Sequence, residues 1–394
     1  MSSSSSHDAA APPDFTGLTI DRYELMAIAG TGAFGTVYVS RDTATAERVA
    51  IKCMVQAEEG TKAYEVQQDE IALHYAVHEH PNVVSFREHF AYQGYLFLVM
   101  EYVQGGAVVD ALEHGVFEDK PELAKQAIFE MFDAVEHLHK NGVYHRDIKP
   151  DNILCNEDGS HFRLADFGLA TTSRTTKRAG GTASYMPPES FDCTQKYHCP
   201  QVGDKWAVSV LFVALITGRY PWSAAKRDDR HYAAFLHDKD HHFRITLGLS
   251  TQVSDLLKRC FDEDASKRPT ITEMRRELES IESFSNPSDC PKSIPQSFPA
   301  SSCSVHPVIE FDSSDWDEDS ESDALESAAP ASPPAILVQI AVRIRVDDAK
   351  SSSSLQRPLH DYLAGLSIKA VESRSVLNDL PAPPTQVSVA QACT

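Results

Sequence analysis

His145-Arg146-Asp147-Ile148-Lys149-Pro150-Asp151-Asn152, followed fourteen residues later by Asp166-Phe167-Gly168, is the stretch on which the reading of this 394-residue chain turns. Neither motif stands alone. Far upstream lies Gly30-Thr31-Gly32-Ala33-Phe34-Gly35-Thr36-Val37, and 17 residues past Gly35 comes Lys52, at the end of Val49-Ala50-Ile51-Lys52. Glycines let backbone amides approach phosphate oxygens that side chains would otherwise block. Taken alone, such a G-x-G-x-x-G is either a dinucleotide-binding turn or a glycine-rich hairpin. The first alternative fails here, because strand rather than helix signals follow it. A lysine after an apolar strand is ordinarily a solvated strand end, but Lys52 follows a phosphate-type loop at a distance that reaches the same anion. Chance does not assemble all four motifs in this order.

Working outward, residues 20–283 alternate strand and helix signals without an internal repeat. Tyr23 to Ala29, Thr36 to Ser40 and Arg48 to Met54 read as short strands with turn chemistry between them. Lys62 to Val77 is helical in pattern, and Tyr95 to Tyr102 is a compact apolar strand. Leu123 to His139 places Leu123, Ile128, Met131, Phe132, Val135 and Leu138 on one helical face and stops at Asn141-Gly142. Asp204 to Thr217 is apolar almost all round, as a helix buried in a large lobe would be. Strands first and helices later predict a two-lobed α+β domain with its ligands in the cleft between a β-rich N-lobe and an α-helical C-lobe.

At this point the residues resemble a eukaryotic protein kinase of the serine/threonine type, over about 264 of the 394 residues. The signature set is a worked template in its own right, so the roles that follow are what the resemblance implies. Lys52 would hold the α- and β-phosphates of ATP and pair with Glu70, which precedes His80-Pro81-Asn82. Asp166 and Asn152 would hold Mg2+, a hard cation suited to oxygen ligands. Asp147 would orient the substrate hydroxyl and accept its proton, and Lys149 would stabilise charge on the transferring group. Ala29, Gly30, Gly32 and Gly35 would belong to the nucleotide-binding loop. Val37, Ala50 and Leu154 would sandwich the adenine, Met100 would stand behind it, and backbone groups of Glu101 and Val103 would hold its edge. Lys149-Pro150-x-Asn152 after Asp147 implies serine/threonine acceptors on protein substrates.

The resemblance extends through the C-lobe. Gly181 to Glu189 is similar to the end of an activation segment, and Lys267-Arg268-Pro269 supplies the arginine that pairs with a glutamate such as Glu189. Gly218 to Ala225 and Phe243 to Leu247 resemble a group of fungal serine/threonine kinases that regulate meiosis and nutrient responses. There are departures. Pro187 stands where the family usually has Ala, and His74 falls where a leucine is common. Arg178 stands four residues before Thr182, where many members carry a phosphorylatable residue, so activity is expected not to need phosphate there.

Composition frames the rest. With 36 Lys+Arg against 57 Asp+Glu the net charge is −21, which argues against nucleic acid or an anionic membrane as partner. No apolar run of 18 residues exists, and the start, a serine run after Met1, lacks a secretory pattern. Eight scattered cysteines read as reduced thiols, so the chain is expected in the cytoplasm or nucleus. Residues 1–19 read as a flexible N-terminus. From Phe284 to Thr394, 21 of 111 residues are Ser and 12 are Pro, with an acidic block at Asp312 to Glu326, which reads as a disordered tail. Within it, Ala335 to Val346 is apolar and β-prone, a candidate for docking a regulatory partner.

Overall fold

Alternation of buried and exposed side chains builds the first half of the molecule. The computed structural model describes residues 13–32, 35–177 and 180–285. Strands β1 (Thr19–Ile20), β2 (Tyr23–Gly32), β3 (Gly35–Asp42) and β4 (Arg48–Val55) are followed by helix α1 (Lys62–Val77), then β5 (Phe86–Tyr92) and β6 (Tyr95–Glu101). They form one antiparallel sheet in the order β1-β2-β3-β4-β6-β5. Because successive side chains point to opposite faces, the register sorts function from packing. Tyr38 pairs with Ile51, Ile51 with Val99, and Cys53 with Phe97. All five are fully buried on one face. On the other face Val37 pairs with Lys52, Lys52 with Leu98, and Ala50 with Met100. The second face carries the residues singled out for nucleotide contact.

The packed chain begins earlier than expected, which corrects the boundary of the flexible N-terminus. Phe15 is buried against Tyr95 and Phe97, with ring centroids 5.2 and 5.6 Å apart. Its backbone N–H donates to the Tyr38 hydroxyl (3.2 Å), and β1 is paired to β2. At the other end Phe284 is buried edge-on to Phe212, and its carbonyl accepts the Ser250 N–H at 2.8 Å. The packed chain therefore reaches Ser285. Residues 1–12 and 286–394, including the apolar segment at 335–346, lie outside the described residues.

The second half is helical: α2 (Val108–Glu113), α3 (Pro121–Lys140), α4 (Pro200–Thr217), α5 (Arg230–His237), α6 (Thr251–Cys260) and α7 (Ile271–Glu279). A two-stranded ribbon of β7 (Ile153–Leu154) and β8 (Arg163–Leu164) lies between α3 and α4 in sequence. Local signals explain the helix ends. Thr61 caps α1 by accepting the Tyr64 N–H, and Thr270 and Glu273 form a reciprocal capping box on α7. Gly218 ends α4 in the left-handed conformation, at φ 64°. From Trp206 to Leu215 every residue of α4 is buried. Trp206 packs edge-on to Phe261, which in turn meets Trp222. The sequence reading assigned no element to β1, β5, β7, β8, α2, α5, α6, α7 or a π-helical turn at His241–Thr246. β1, β7, β8 and α2 are too short to stand out from their surroundings, β5 sets charged residues among its apolar ones, and α5 to α7 fall in a stretch read only as an α-helical lobe. Among the described residues no helix is long and apolar enough to cross a membrane.

The connection between the halves has no slack. A Cβ on Gly105 would lie 2.2 Å from the Asn156 carbonyl carbon, so the chain after β6 presses directly on the backbone after β7. Next to it the Gly106 carbonyl accepts the Cys155 N–H at 3.0 Å.

Candidate active site

Lys52 on β4 meets two carboxylates at once. Its Nζ donates to Glu70 Oε1 of α1 at 2.7 Å and to Asp166 Oδ1, two residues past β8, at 2.9 Å. Burial alone would discharge Lys52, but Asp166 and Glu70 outweigh it and push the pKa above the ordinary lysine range. Burial likewise works against ionised Asp166, and the Lys52 charge more than offsets it, so Asp166 sits below the usual carboxylate value. Asp166 itself adopts a left-handed backbone, φ 60°, next to Phe167. Such a backbone costs free energy and persists only where packing holds it. The holder is a row of rings: Phe167 stacks on His74 at 4.5 Å and meets His145 edge-on at 5.1 Å. His74, at the position where a leucine is common, has its polarity satisfied. Its Nε2 bonds the Val84 carbonyl at 2.7 Å, and burial holds its pKa at about 4, so it is neutral.

Across the cleft, Asp147 is ringed by donors. Thr182 gives its backbone N–H and its hydroxyl to Oδ1, both at 3.0 Å. Asn152 Nδ2 and Lys149 Nζ both stand 2.9 Å from Oδ2. Lys149 also donates to the Thr182 hydroxyl at 2.9 Å. The result is a carboxylate fixed in orientation with two cationic or amide partners beside it.

The remaining predicted residues fall around these two clusters. Ala29, Gly30 and Gly32 occupy the exposed end of β2. Gly35 opens β3 at φ 123°, where a Cβ would lie 2.2 Å from the Cys53 carbonyl oxygen. Val37, Ala50 and Met100 share the sheet face of Lys52. Glu101 and Val103 follow at the connection, and Leu154 lies on β7, bridged to Ala107.

The family model described as the protein kinase domain matches residues 23–278. The chain belongs to the protein kinase family. It is 28% identical over 277 residues to a Schizosaccharomyces pombe protein named negative regulator of sexual conjugation and meiosis, covering 64% of this chain and 59% of that one. To Protein kinase 3 of Dictyostelium discoideum it is 32% identical over 295 residues, 71% of this chain and 31% of the relative. CBL-interacting serine/threonine-protein kinase 12 of Arabidopsis thaliana is 32% identical over 267 residues, 65% and 52%. The chain thus spans 31 to 59% of the length of these relatives.

In this kinase two residues at the site escaped the sequence reading as site residues. Thr182 was seen only as part of a segment, yet it contributes two of the hydrogen bonds that fix Asp147. Asp204, at the start of α4, is 1% exposed and accepts the backbone N–H groups of His145 (3.0 Å) and Arg146 (2.8 Å). Arg146 is left-handed at φ 70°, so Asp204 holds the strained turn on which Asp147 sits. Neither role leaves a local trace, because the partners are 35 and 59 residues apart. The predicted pair of Glu189 with Arg268 is present and bidentate, at 2.6 and 2.8 Å, with the guanidinium 4.6 Å from the Trp206 ring centre. In the activation segment Arg178 lies outside the described residues. Thr176 exchanges two backbone hydrogen bonds with His198, at 2.9 and 2.8 Å.

The donor chemistry suits a nucleotide with a hard cation. Asp166 and Asn152 offer hard oxygen donors, which suit Mg2+, a cation that takes one or two protein oxygens and completes its shell with phosphates and water.

Proposed function

We propose that the chain is an ATP- and Mg2+-dependent protein kinase that phosphorylates serine and threonine hydroxyls of protein substrates. The observation that carries the reading is the double engagement of Lys52 by Glu70 and Asp166. It fixes a buried cation on the same sheet face as Ala50 and Met100, at the height of the glycine loop. Glu70 aims the ammonium at bound phosphates, and Asp166 with Asn152 would hold the metal. When bound, Mg·ATP supplies an activated phosphoryl group whose charge the metal neutralises. Asp147 takes the proton of the acceptor hydroxyl as that oxygen bonds to phosphorus, and Lys149, 2.9 Å from Asp147, places positive charge beside it. The resemblance of Lys149-Pro150-x-Asn152 after Asp147 to the serine/threonine kinases supports those acceptors over tyrosine.

Asp147→Asn keeps the shape and removes the base. With labelled ATP, Mg2+ and a mixed protein substrate, its rate should fall by about 100- to 10,000-fold, with label on phosphoserine and phosphothreonine in the wild type and with loss of transfer when Mg2+ is chelated. Equal transfer by both proteins, or label confined to tyrosine, would sink the proposal.

A further inference from the structure

Outside the active site two histidines lie face to face where the two halves of the molecule join. His80, three residues past the end of α1, stacks on His137 of α3 with ring centroids 4.6 Å apart and planes 27° apart. His80 Nδ1 accepts the Asn82 N–H at 3.2 Å, so that nitrogen carries a lone pair in this arrangement. His137 Nε2 is sealed from solvent and finds no hydrogen-bond partner among the described residues. A second proton on either ring therefore breaks a hydrogen bond or adds charge to a buried, unpartnered atom, and it places that charge against the other ring.

The loop that carries His80 touches both halves of the Lys52 site. Asn82 Nδ2 donates to the Phe162 carbonyl at 2.9 Å, and the Val84 N–H donates to the Leu164 carbonyl at 2.9 Å, two residues before Asp166. The Val84 carbonyl receives His74 of α1, the helix of Glu70. We propose that His80 and His137 form a proton-sensitive latch that ties the end of α1 to α3 while both rings are neutral and lets go on acidification, loosening the Lys52–Glu70–Asp166 arrangement.

The groups around the pair favour this reading. For His80, burial and His137 lower the pKa, as does Lys140, while Asp133 opposes them. Asp133 is itself bonded to Arg275 of α7 at 2.5 Å. For His137, burial and Lys140 lower the pKa against the Val77 carbonyl of α1. The sign follows. A released histidine returns to about 6.5, so above that pH neither state gains a proton and the latch holds. As pH falls below it, the released state is protonated first. For each ring that stays neutral in the latch, release is favoured about fourfold at pH 6 and about tenfold at pH 5.5.

The test uses the full chain and the variants His137→Phe and His80→Phe, which keep a ring in the stack and remove one titration. Between pH 7.5 and 5.5 the wild-type melting temperature should fall by about 3 °C more than that of either variant. Histidines common to all three proteins cancel in that difference. Equal pH dependence in all three overturns the latch. If the variants do not fold, the wild type decides by NMR titration of its histidine rings, assigned with His80→Asn. Both apparent pKa values should lie below the ordinary histidine range, and an ordinary value for either ring overturns it. The link to the site rests on the kinase reading and is measured separately, as the turnover rate at pH 6 relative to pH 7.5. His137→Phe should retain more of its rate than the wild type, by up to about fourfold. A melting difference with equal retained rates rejects the coupling while leaving the kinase reading intact.

Discussion

Thr182 shows how much of this site rests on one side chain that is not acidic, basic or glycine. Its amide and hydroxyl hold one oxygen of Asp147, and its hydroxyl also receives Lys149. Hydrogen bonds to charged groups contribute about 1.5–3 kcal/mol each. Removing the hydroxyl while the amide stays should lower turnover of Thr182→Ala by about 10- to 100-fold with little change in the KM for ATP, since Lys52 and Asp166 are untouched. Thr182→Ser should restore most of the rate. Unchanged turnover in the alanine variant would show that the amide alone suffices. Lys52, Asp147 and Asp166 were legible because each stands in a short motif whose neighbours also carry chemistry, and Glu70 because it stands at a recognisable distance from His80-Pro81-Asn82. Thr182 and Asp204 were not, since their partners become neighbours only when distant loops are folded together.

At the scale of elements, the sheet divides its two faces between packing and chemistry, and the packing face is finished by the chain's own N-terminal segment. The strands β2 to β4 were readable as short runs with turn chemistry between them, and β6 as a compact apolar run. The segment around Phe15 was not, because one phenylalanine among Pro, Asp and Thr carries no period, and its partners Tyr95 and Phe97 lie 80 and 82 residues away. Phe→Ala in a packed core costs about 3–5 kcal/mol. Phe15 is 5% exposed, so Phe15→Ala should lose about 3 kcal/mol in urea unfolding, and Phe15→Leu should lose less. A loss below about 1 kcal/mol would mean that the outer face closes without it.

Over the whole molecule, the net charge of −21 is shared between regions. Residues 286–394 hold 15 acidic and 7 basic residues, a balance of −8, so −13 remains with residues 1–285, which contain the kinase domain. A buried Lys52 within an acidic body is a local exception that the overall charge conceals. The two halves meet at Gly105. Its Cβ position falls on backbone, not on a flexible side chain, so Gly105→Ala forces main chain to move and should cost about 1–3 kcal/mol. Gly203→Ala is the control, a glycine in α4 with nothing within 4 Å of a new Cβ, and should be neutral or stabilising by up to about 1 kcal/mol. Melting curves of the two variants decide this, and equal behaviour would show that the joint has room to spare. A joint without clearance also sets a gauge. The strand at Leu154 is tied to the strip after Glu101, through its bridge to Ala107 and the Gly106–Cys155 hydrogen bond, so on the proposed reading of Leu154 as the floor of the nucleotide slot the spacing there is set by backbone contact. Flat molecules competing for the slot would then be selected first by thickness, and variants at position 105 would be the means of altering that selection without touching a single residue that handles phosphate.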